Sequence, residues 1–280
     1  MKIGCNALYP YGPLTGESLF TLEATKEALR QLKEVGYDSV EYSHAARFNL
    51  GEAQALREHA AALGIAPWSI HAGGADGFGL GDTVEQAQAS LIHCTEVCAA
   101  MGARVMVVHT VHCGPLRQPD EHTVEWRLDQ DRRILEPVCT RAQDLGIDLG
   151  LENGATLVDM EYLLQLRELL GGPHVGFCID TGHANLGDLG AARAIDLAGK
   201  WLYTTHLQDN HGQRDDHLPP GRGAIDWAAV FQAMRRTGYA RPLMIELTDG
   251  PKDRPYDPDA DLRQGLQSVA RFAAEHLAAH

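Results

Sequence analysis

Gly176-Phe177-Cys178-Ile179-Asp180-Thr181-Gly182-His183-Ala184-Asn185 is the stretch on which the reading of this chain turns. It is apolar and β-branched through Ile179, then breaks into an acid, a glycine and a histidine. A buried strand that ends at a working surface has this form. Taken alone, Asp180 reads first as the N-cap of whatever helix follows. Repetition sets it apart, because six other predicted strands also close near an acid or a histidine.

Working outward, one unit recurs: a helical pattern, a glycine, one or two residues, then a short apolar strand. It is visible at Val35-Gly36, Leu63-Gly64, Met101-Gly102, Leu145-Gly146 and Thr237-Gly238. Each glycine stands where a helix end needs a left-handed residue before the chain turns into a strand. The predicted strands are Lys2–Asn6, Ser39–Tyr42, Pro67–His71, Arg104–His109, Asp148–Glu152, Val175–Asp180, Leu202–Leu207 and Pro242–Leu247. Amphipathic stretches separate them at Leu19–Val35, Gly51–Leu63, Thr83–Met101, His122–Leu145, Thr156–Leu170, Leu189–Lys200 and Asp226–Thr237. An eighth, Ala260–Ala279, follows the last strand. Helices alternating with near-continuous apolar strands mean parallel βα units. Eight such units in a chain of this length predict an α/β protein of the (β/α)8 TIM barrel type, a single domain over residues 1–280. A doubly wound open sheet is the alternative. It would carry a glycine-rich phosphate turn after the first strand, and Asn6-Ala7-Leu8-Tyr9-Pro10 is not one.

Composition sets the class. The 280 residues are 44% apolar and 22% charged, as in ordinary globular chains. No apolar run reaches membrane-spanning length, and Lys2-Ile3-Gly4-Cys5 is not a basic-then-apolar leader. The six cysteines show no paired-ligand spacing; reduced thiols in a cytoplasmic protein are expected. The formal net charge is −14. That excess repels phosphate backbones, so neither nucleic acid nor a membrane is an expected partner. Abundant carboxylates together with 14 histidines suit a protein that binds metal cations.

The residues closing the eight strands are Asn6, Glu41, His71, His109, Glu152, Asp180, His206 and Glu246. A parallel barrel brings all these ends to one mouth. Seven of the eight can ligate a metal or move a proton. Each has an ordinary explanation singly, as a helix cap or a bond to a loop carbonyl. Four carboxylates in one mouth, however, repel unless some are protonated or a cation sits among them. Glu152, Asp180, His206 and Glu246 make a plausible ligand set of three carboxylates and one imidazole. Mn²⁺, Mg²⁺ or Co²⁺ suits that set best, and Zn²⁺ is also accommodated.

Further candidates follow the strands. His183 lies three residues past Asp180, and Asp215 and His217 form an Asp-x-His pair in the long segment after strand seven. That pair reads either as a solvated charged loop or as groups held over the mouth by Leu218-Pro219-Pro220-Gly221-Arg222-Gly223. Gly221-Arg222-Gly223 offers a weak anion signal, and Asp226 reads as an N-cap. Trp68 and Trp126 are expected to pack in the core rather than stack on a ligand. Tyr9, Tyr11 and Phe78 are candidate pocket walls.

Four motifs in order carry a family likeness: Leu151-Glu152-Asn153, Cys178-Ile179-Asp180-Thr181-Gly182-His183-Ala184, His206-Leu207-Gln208-Asp209 and Ile245-Glu246. They resemble the xylose isomerase-like barrel superfamily, which holds sugar isomerases, ketose 3-epimerases of the tagatose epimerase type, inosose dehydratases and endonuclease IV. The likeness spans nearly the whole chain. In the ketose epimerases it implies one divalent metal held by the residues matching Glu152, Asp180, His206 and Glu246. The two glutamates there also act as acid and base on opposite faces of the sugar. One removes the proton beside a polarised carbonyl, an enediolate forms, and the other returns a proton. The resemblance thus implies an isomerase or epimerase of a small sugar or keto-polyol, in a cytoplasmic homo-oligomer.

Endonuclease IV is the rival within the same superfamily. Its three-zinc pattern matches His71, His109, His183, Asp215 and His217 in addition to the quartet. The acidic balance argues against duplex DNA. So do Ala72-Gly73-Gly74 after His71, where that enzyme places bulky wedging residues. On the epimerase reading the extra histidines contact sugar hydroxyls instead. A keto-sugar dehydratase or lyase shares the metal and the first proton abstraction, and a barrel that binds without catalysis is a third class.

Overall fold

Parallel strand pairing runs without interruption through a computed structural model of the chain, which describes residues 1–7, 21–72, 83–110, 122–248 and 257–277. The strands are β1 (Ile3–Asn6), β2 (Ser39–Tyr42), β3 (Ala66–His71), β4 (Val105–Val108), β5 (Asp148–Glu152), β6 (Val175–Asp180), β7 (Leu202–His206) and β8 (Leu243–Ile245). Their order is β7-β6-β5-β4-β3-β2-β1-β8. A parallel bridge between Leu207 and Ile245 joins the two ends, so the sheet curls into a nearly closed barrel. The open-sheet alternative is thereby ruled out.

The helices are α1 (Leu22–Val35), α2 (Leu50–Leu63), α3 (Val84–Met101), α4 (Val124–Leu145), α5 (Leu157–Leu170), α6 (Thr181–Asn185), α7 (Ala191–Ala198), α8 (Trp227–Thr237) and α9 (Pro258–His276). Their starts are written in the sequence. Thr21, Asn49, Thr83, Thr123 and Thr156 each accept a first-turn backbone N–H, and Asn49, Thr83 and Thr156 complete reciprocal capping boxes. Their ends are too: Gly36, Gly64, Gly102, Gly146 and Gly238 all take positive φ. Pro137 falls inside α4 and cannot donate to the carbonyl of Arg133. Gln88 of α3 donates to that carbonyl at 2.9 Å, so the helix pair satisfies the group that the proline frees.

Two differences from the sequence reading bear on the site. The short helix α6 was not expected, and it begins directly at the end of β6. The stretch Leu189–Lys200 divides into α7 and a 3-10 turn at Gly199–Trp201. Tyr9, Tyr11, Phe78, Gly73, Gly74 and Cys113 lie outside the described residues.

Register explains why the ring of strand ends converges. Glu152 pairs with Cys178, Cys178 with Thr204, and Asp180 with His206. Residues paired across a parallel sheet point to the same face, and residues two apart repeat it. Asp180 and His206 therefore stand one step nearer the mouth than Glu152 and Cys178. Below them Trp68 donates from Nε1 to Thr204 Oγ1 at 3.2 Å, from β3 to β7 across the barrel. Trp68 does not join the apolar core as expected: it is half-buried, and its indole N–H is used across the barrel. Trp126 does not follow that expectation either. It is 39% exposed, and its ring stacks on His122. No helix among the described residues is long and apolar enough to cross a membrane.

Candidate metal centre

Glu152, Asp180, His206 and Glu246 meet at the barrel mouth, each offering one ligating atom within 4.8 Å of the others. His206 Nδ1 lies 3.1 Å from Glu152 Oε1 and 3.4 Å from Glu246 Oε2. Glu152, Asp180 and His206 are buried. Asp180 caps α6, its Oδ1 accepting the His183 N–H at 2.6 Å, and its carboxylate also stands among the four candidate ligand groups.

The histidines expected around this set are brought to it. His71 Nε2 and His109 Nε2 approach Glu152 Oε2 at 3.3 and 3.1 Å. His183 Nδ1 lies 3.4 Å from Glu152 Oε1, and its Nε2 lies 3.3 Å from Asp215 Oδ2. His217 Nε2 meets Asp215 Oδ2 at 3.0 Å, and its Nδ1 reaches to 3.5 Å from Glu246 Oε2. The Asp-x-His pair is thus folded over the mouth and is not a free charged loop. His183, Asp215 and His217 form a second candidate ligand cluster, and His71, His109 and Glu152 another.

Asp209 holds that loop in place. Its Oδ1 accepts from Asn210 N and Ile225 N, and its Oδ2 accepts from Gly221 N and Trp227 Nε1. Its backbone pairs with Leu218 in both directions. His217, just before Leu218, adopts a left-handed φ of 46°. Gly221-Arg222-Gly223 is spoken for by this arrangement. Arg222 pairs with Asp261 at 2.6 Å and bonds Gln264 on α9, so it fastens the loop to that helix and is not an anion site. Asp226 caps α8 as expected.

Three participants were absent from the expected set. Gln208 Nε2 donates to Asp180 Oδ1 at 3.2 Å and to Asp215 Oδ1 at 2.5 Å, linking the quartet to the second cluster. Cys178 reaches Glu152 and His206 from below, although it precedes the strand end by two residues. Glu41, on the ring but not in the ligand set, lies 2.9 Å from His206 through Oε1. The alternation of β6 is the signal for Cys178, since it shares a face with Asp180. Gln208 is marked by its place in the motif His206-Leu207-Gln208-Asp209, which gives it no role.

The electrostatics follow from burial and neighbours. Burial pushes the Glu152 carboxyl up, but His109, His206 and His71 outweigh it and hold Glu152 well below the usual range. Glu246 behaves likewise, lowered by His206 and His217 against burial. Burial raises Asp180 to about 7, with Glu246, Glu152 and Asp215 adding to it against His183. Burial takes His109 down to about 4, leaving a neutral ring. For His206, His183 and His217 burial acts downward and is overcome by the carboxylates; His217 rises to about 9 and the other two well above normal. Protons on imidazoles therefore balance the buried carboxylates.

The donor set fits a divalent cation. Among the described residues Glu152 Oε2 is buried with no aligned hydrogen bond, a costly state for a carboxylate oxygen that a cation would relieve. The convergence of three carboxylates and one imidazole is hard-donor chemistry. Cys178 is kept a neutral thiol by burial, which does not favour a thiolate site.

Comparison with known proteins bears on the fold and the family. Residues 29–272 match the family described as Xylose isomerase-like TIM barrel. A ketose 3-epimerase of Arthrobacter globiformis is 26% identical over 259 residues, 88% of this chain and 83% of that protein. A protein of Mycobacterium tuberculosis named probable endonuclease 4 is 26% identical over 170 residues, 56% of this chain and 64% of that protein. The chain spans 32% and 50% of the length of two uncharacterised relatives that it matches at 36% and 30% identity. Among solved structures, that of L-ribulose 3-epimerase superposes with a TM-score of 0.78 at 19% identity, covering 98% of this chain and 95% of the other.

Proposed function

The chain belongs to the xylose isomerase-like TIM barrel family, and on that premise we propose that it is a divalent-cation-dependent isomerase or epimerase of a small sugar or keto-polyol. The observation that carries the proposal is the pairing of Glu152 and Glu246 about one imidazole nitrogen. They arrive from β5 and from just past β8, and on this reading a substrate in the mouth would have a carboxylate on each of two sides. The names of the ketose 3-epimerase and L-ribulose 3-epimerase relatives support the substrate class.

Glu152, Asp180, His206 and Glu246 would hold the cation. When bound, it would polarise the carbonyl and the adjacent hydroxyl of a ketose, lowering the cost of negative charge on oxygen. Glu246 and Glu152 exchange the proton on the carbon beside the carbonyl, one removing it and the other returning it from the opposite side. Histidine neighbours hold both carboxylates ionised, so either can start as base; the one that returns a proton first takes it from its protonated imidazole neighbour, His71 beside Glu152 or His217 beside Glu246. Neutral His109 and the remaining imidazoles of His71, His183 and His217 offer donors and acceptors to sugar hydroxyls.

The test is wash-in of solvent deuterium. A panel of free ketoses incubated in D₂O with the Mn²⁺-loaded protein should gain deuterium beside the carbonyl. Glu246→Gln should abolish the exchange while leaving the barrel folded. Persistent exchange in that variant would refute the two-glutamate scheme.

One observation favours a second reading, a zinc phosphodiesterase: the cluster of His183, Asp215 and His217 beside the quartet has the composition of a further metal site. The net charge of −14 weighs against a duplex substrate. Two or three Zn²⁺ per chain with nicking of an abasic duplex would establish it. One Mn²⁺ or Mg²⁺ per chain with ketose exchange would exclude it.

A further inference from the structure

We propose that Glu41, anchored by Ser69, is a positioning residue that keeps the proton of His206 on Nε2 and so presents the Nδ1 lone pair to the cation. The inference rests on the single-cation reading above. It concerns a residue behind the ligand set rather than within it.

Glu41 is the penultimate residue of β2 and is 1% exposed. Its Oε2 accepts from Ser69 Oγ at 2.6 Å, and its Oε1 lies 2.9 Å from His206 Nε2. Among the described residues neither Oε1 nor Nε2 has an aligned hydrogen-bond partner, and the contact between them also falls short of that alignment. On the far side of the same ring, Nδ1 faces Glu152 and Glu246. Glu41 belongs to none of the candidate ligand clusters among the described residues. The imidazole is therefore held between a lone carboxylate at its back and the ligand set at its front.

Nδ1 also bonds Glu152 Oε1 at 3.1 Å, so it carries a proton until a cation takes that place; from then on proximity to Glu41 decides the tautomer. If Nε2 were bare, two lone pairs would confront each other at 2.9 Å in a site shut off from water. A proton on Nε2 turns that repulsion into attraction. A neutral ring protonated on Nε2 keeps its one lone pair on Nδ1, the nitrogen that faces Glu152 and Glu246. Carboxylates that orient a metal-binding histidine through its second nitrogen are a general device.

The backbone places Glu41 for this task. The β2/β3 register shifts between Val40 and Glu41: Val40 pairs with Pro67, but Glu41 pairs with Ser69. The extra residue is Trp68, whose indole reaches Thr204. Such a bulge re-aims the side chains beyond it. Here it sets Ser69 beside Glu41 and fixes the carboxylate before any cation arrives.

Co²⁺ titration of the purified protein tests the proposal, read by calorimetry and by the visible absorption of the bound ion. Wild type should take up one Co²⁺ per chain. Glu41→Gln keeps the shape and an acceptor oxygen, whereas Glu41→Leu removes the acceptor. Affinity should fall about 10- to 100-fold overall, with Glu41→Leu below Glu41→Gln, unchanged stoichiometry and an altered Co²⁺ spectrum. Ser69→Ala should weaken binding in the same direction by a smaller factor. Wild-type affinity and spectrum in both Glu41 variants would overturn the proposal. So would a lowered melting temperature of the metal-free variants with Co²⁺ binding unchanged, which would mark a merely structural role. If wild type itself took up no Co²⁺, the single-cation reading would fall, and the role of Glu41 with it.

Discussion

Asp209 Oδ2 accepts the indole N–H of Trp227 at 2.8 Å, tying the loop after β7 to the first residue of α8. The same carboxylate is fully buried and also receives backbone N–H groups of Asn210, Gly221 and Ile225. One side chain thus fixes both ends of the segment that carries Asp215 and His217.

Asp209→Ala should therefore be among the most damaging single changes away from the ligand set. It strands several donors in a site without water, each worth about 1–3 kcal/mol. A loss of roughly 3 kcal/mol or more in urea unfolding is expected. Asp209→Asn keeps the volume and one acceptor oxygen and should cost less. Equal, small losses for both would show that the loop is held by other contacts.

Gly182→Ala tests the approach of Gln208 to α6. A Cβ at residue 182 would overlap the Gln208 carboxamide, which bridges Asp180 and Asp215. Overpacking of this kind costs about 1–3 kcal/mol. Because the displaced group touches the quartet, Mn²⁺ affinity should fall along with stability. Unchanged Mn²⁺ affinity in a destabilised variant would detach Gln208 from the site.

The contrast between Asp180 and Gln208 shows where sequence reading succeeds. Asp180 announces itself, because a polar group ending an apolar strand in a barrel must point to the mouth or cap a helix, and it does both. His71, His109 and His206 follow from the same rule. Gln208 and Asp209 lie beyond a strand end, where periodicity no longer dictates direction. Their roles come from tertiary contacts made by Gly182, Leu218 and Trp227, distant in sequence or silent in pattern. Arg222 shows the converse: a basic residue between glycines resembles an anion loop until Asp261 and Gln264, some forty residues on, are seen to bind it.

The four buried thiols and the half-buried Cys139 should be inert. Burial raises Cys94 and Cys139 to about 12, and Cys5, Cys98 and Cys178 are raised by the same cause. Reactivity follows the thiolate, which is scarce at pH 8. In a Cys113→Ser variant, alkylation at pH 8 should be negligible without denaturant and complete with it. Rapid labelling of the native variant would show that the barrel opens locally.

Protons and cation should compete for one site, and the sign of the pH dependence follows. In the metal-free protein His217 titrates at about 9, where burial alone would depress it and the charges of Glu246 and Asp215 overcome burial. His183 and His206 are also raised. A histidine raised on folding contributes stability that is fully present below its unfolded value of about 6.5 and is lost as pH rises through the folded value. The melting temperature of metal-free protein should therefore decline between about pH 6.5 and 9. The carboxylates do not reverse this trend. Glu152, Glu246 and Asp215 are lowered, so their contribution is lost only as pH falls into the acid range. Asp180, raised to about 7, loses its contribution as pH rises, in the same sense as the histidines. Ligation requires deprotonated groups, so Mn²⁺ should bind more tightly across the same interval and release protons on binding. Melting curves with and without Mn²⁺ should diverge as pH increases, and calorimetry in buffers of different ionisation enthalpy should register the proton release. A constant separation with no proton release would mean that the imidazoles and the cation occupy different places.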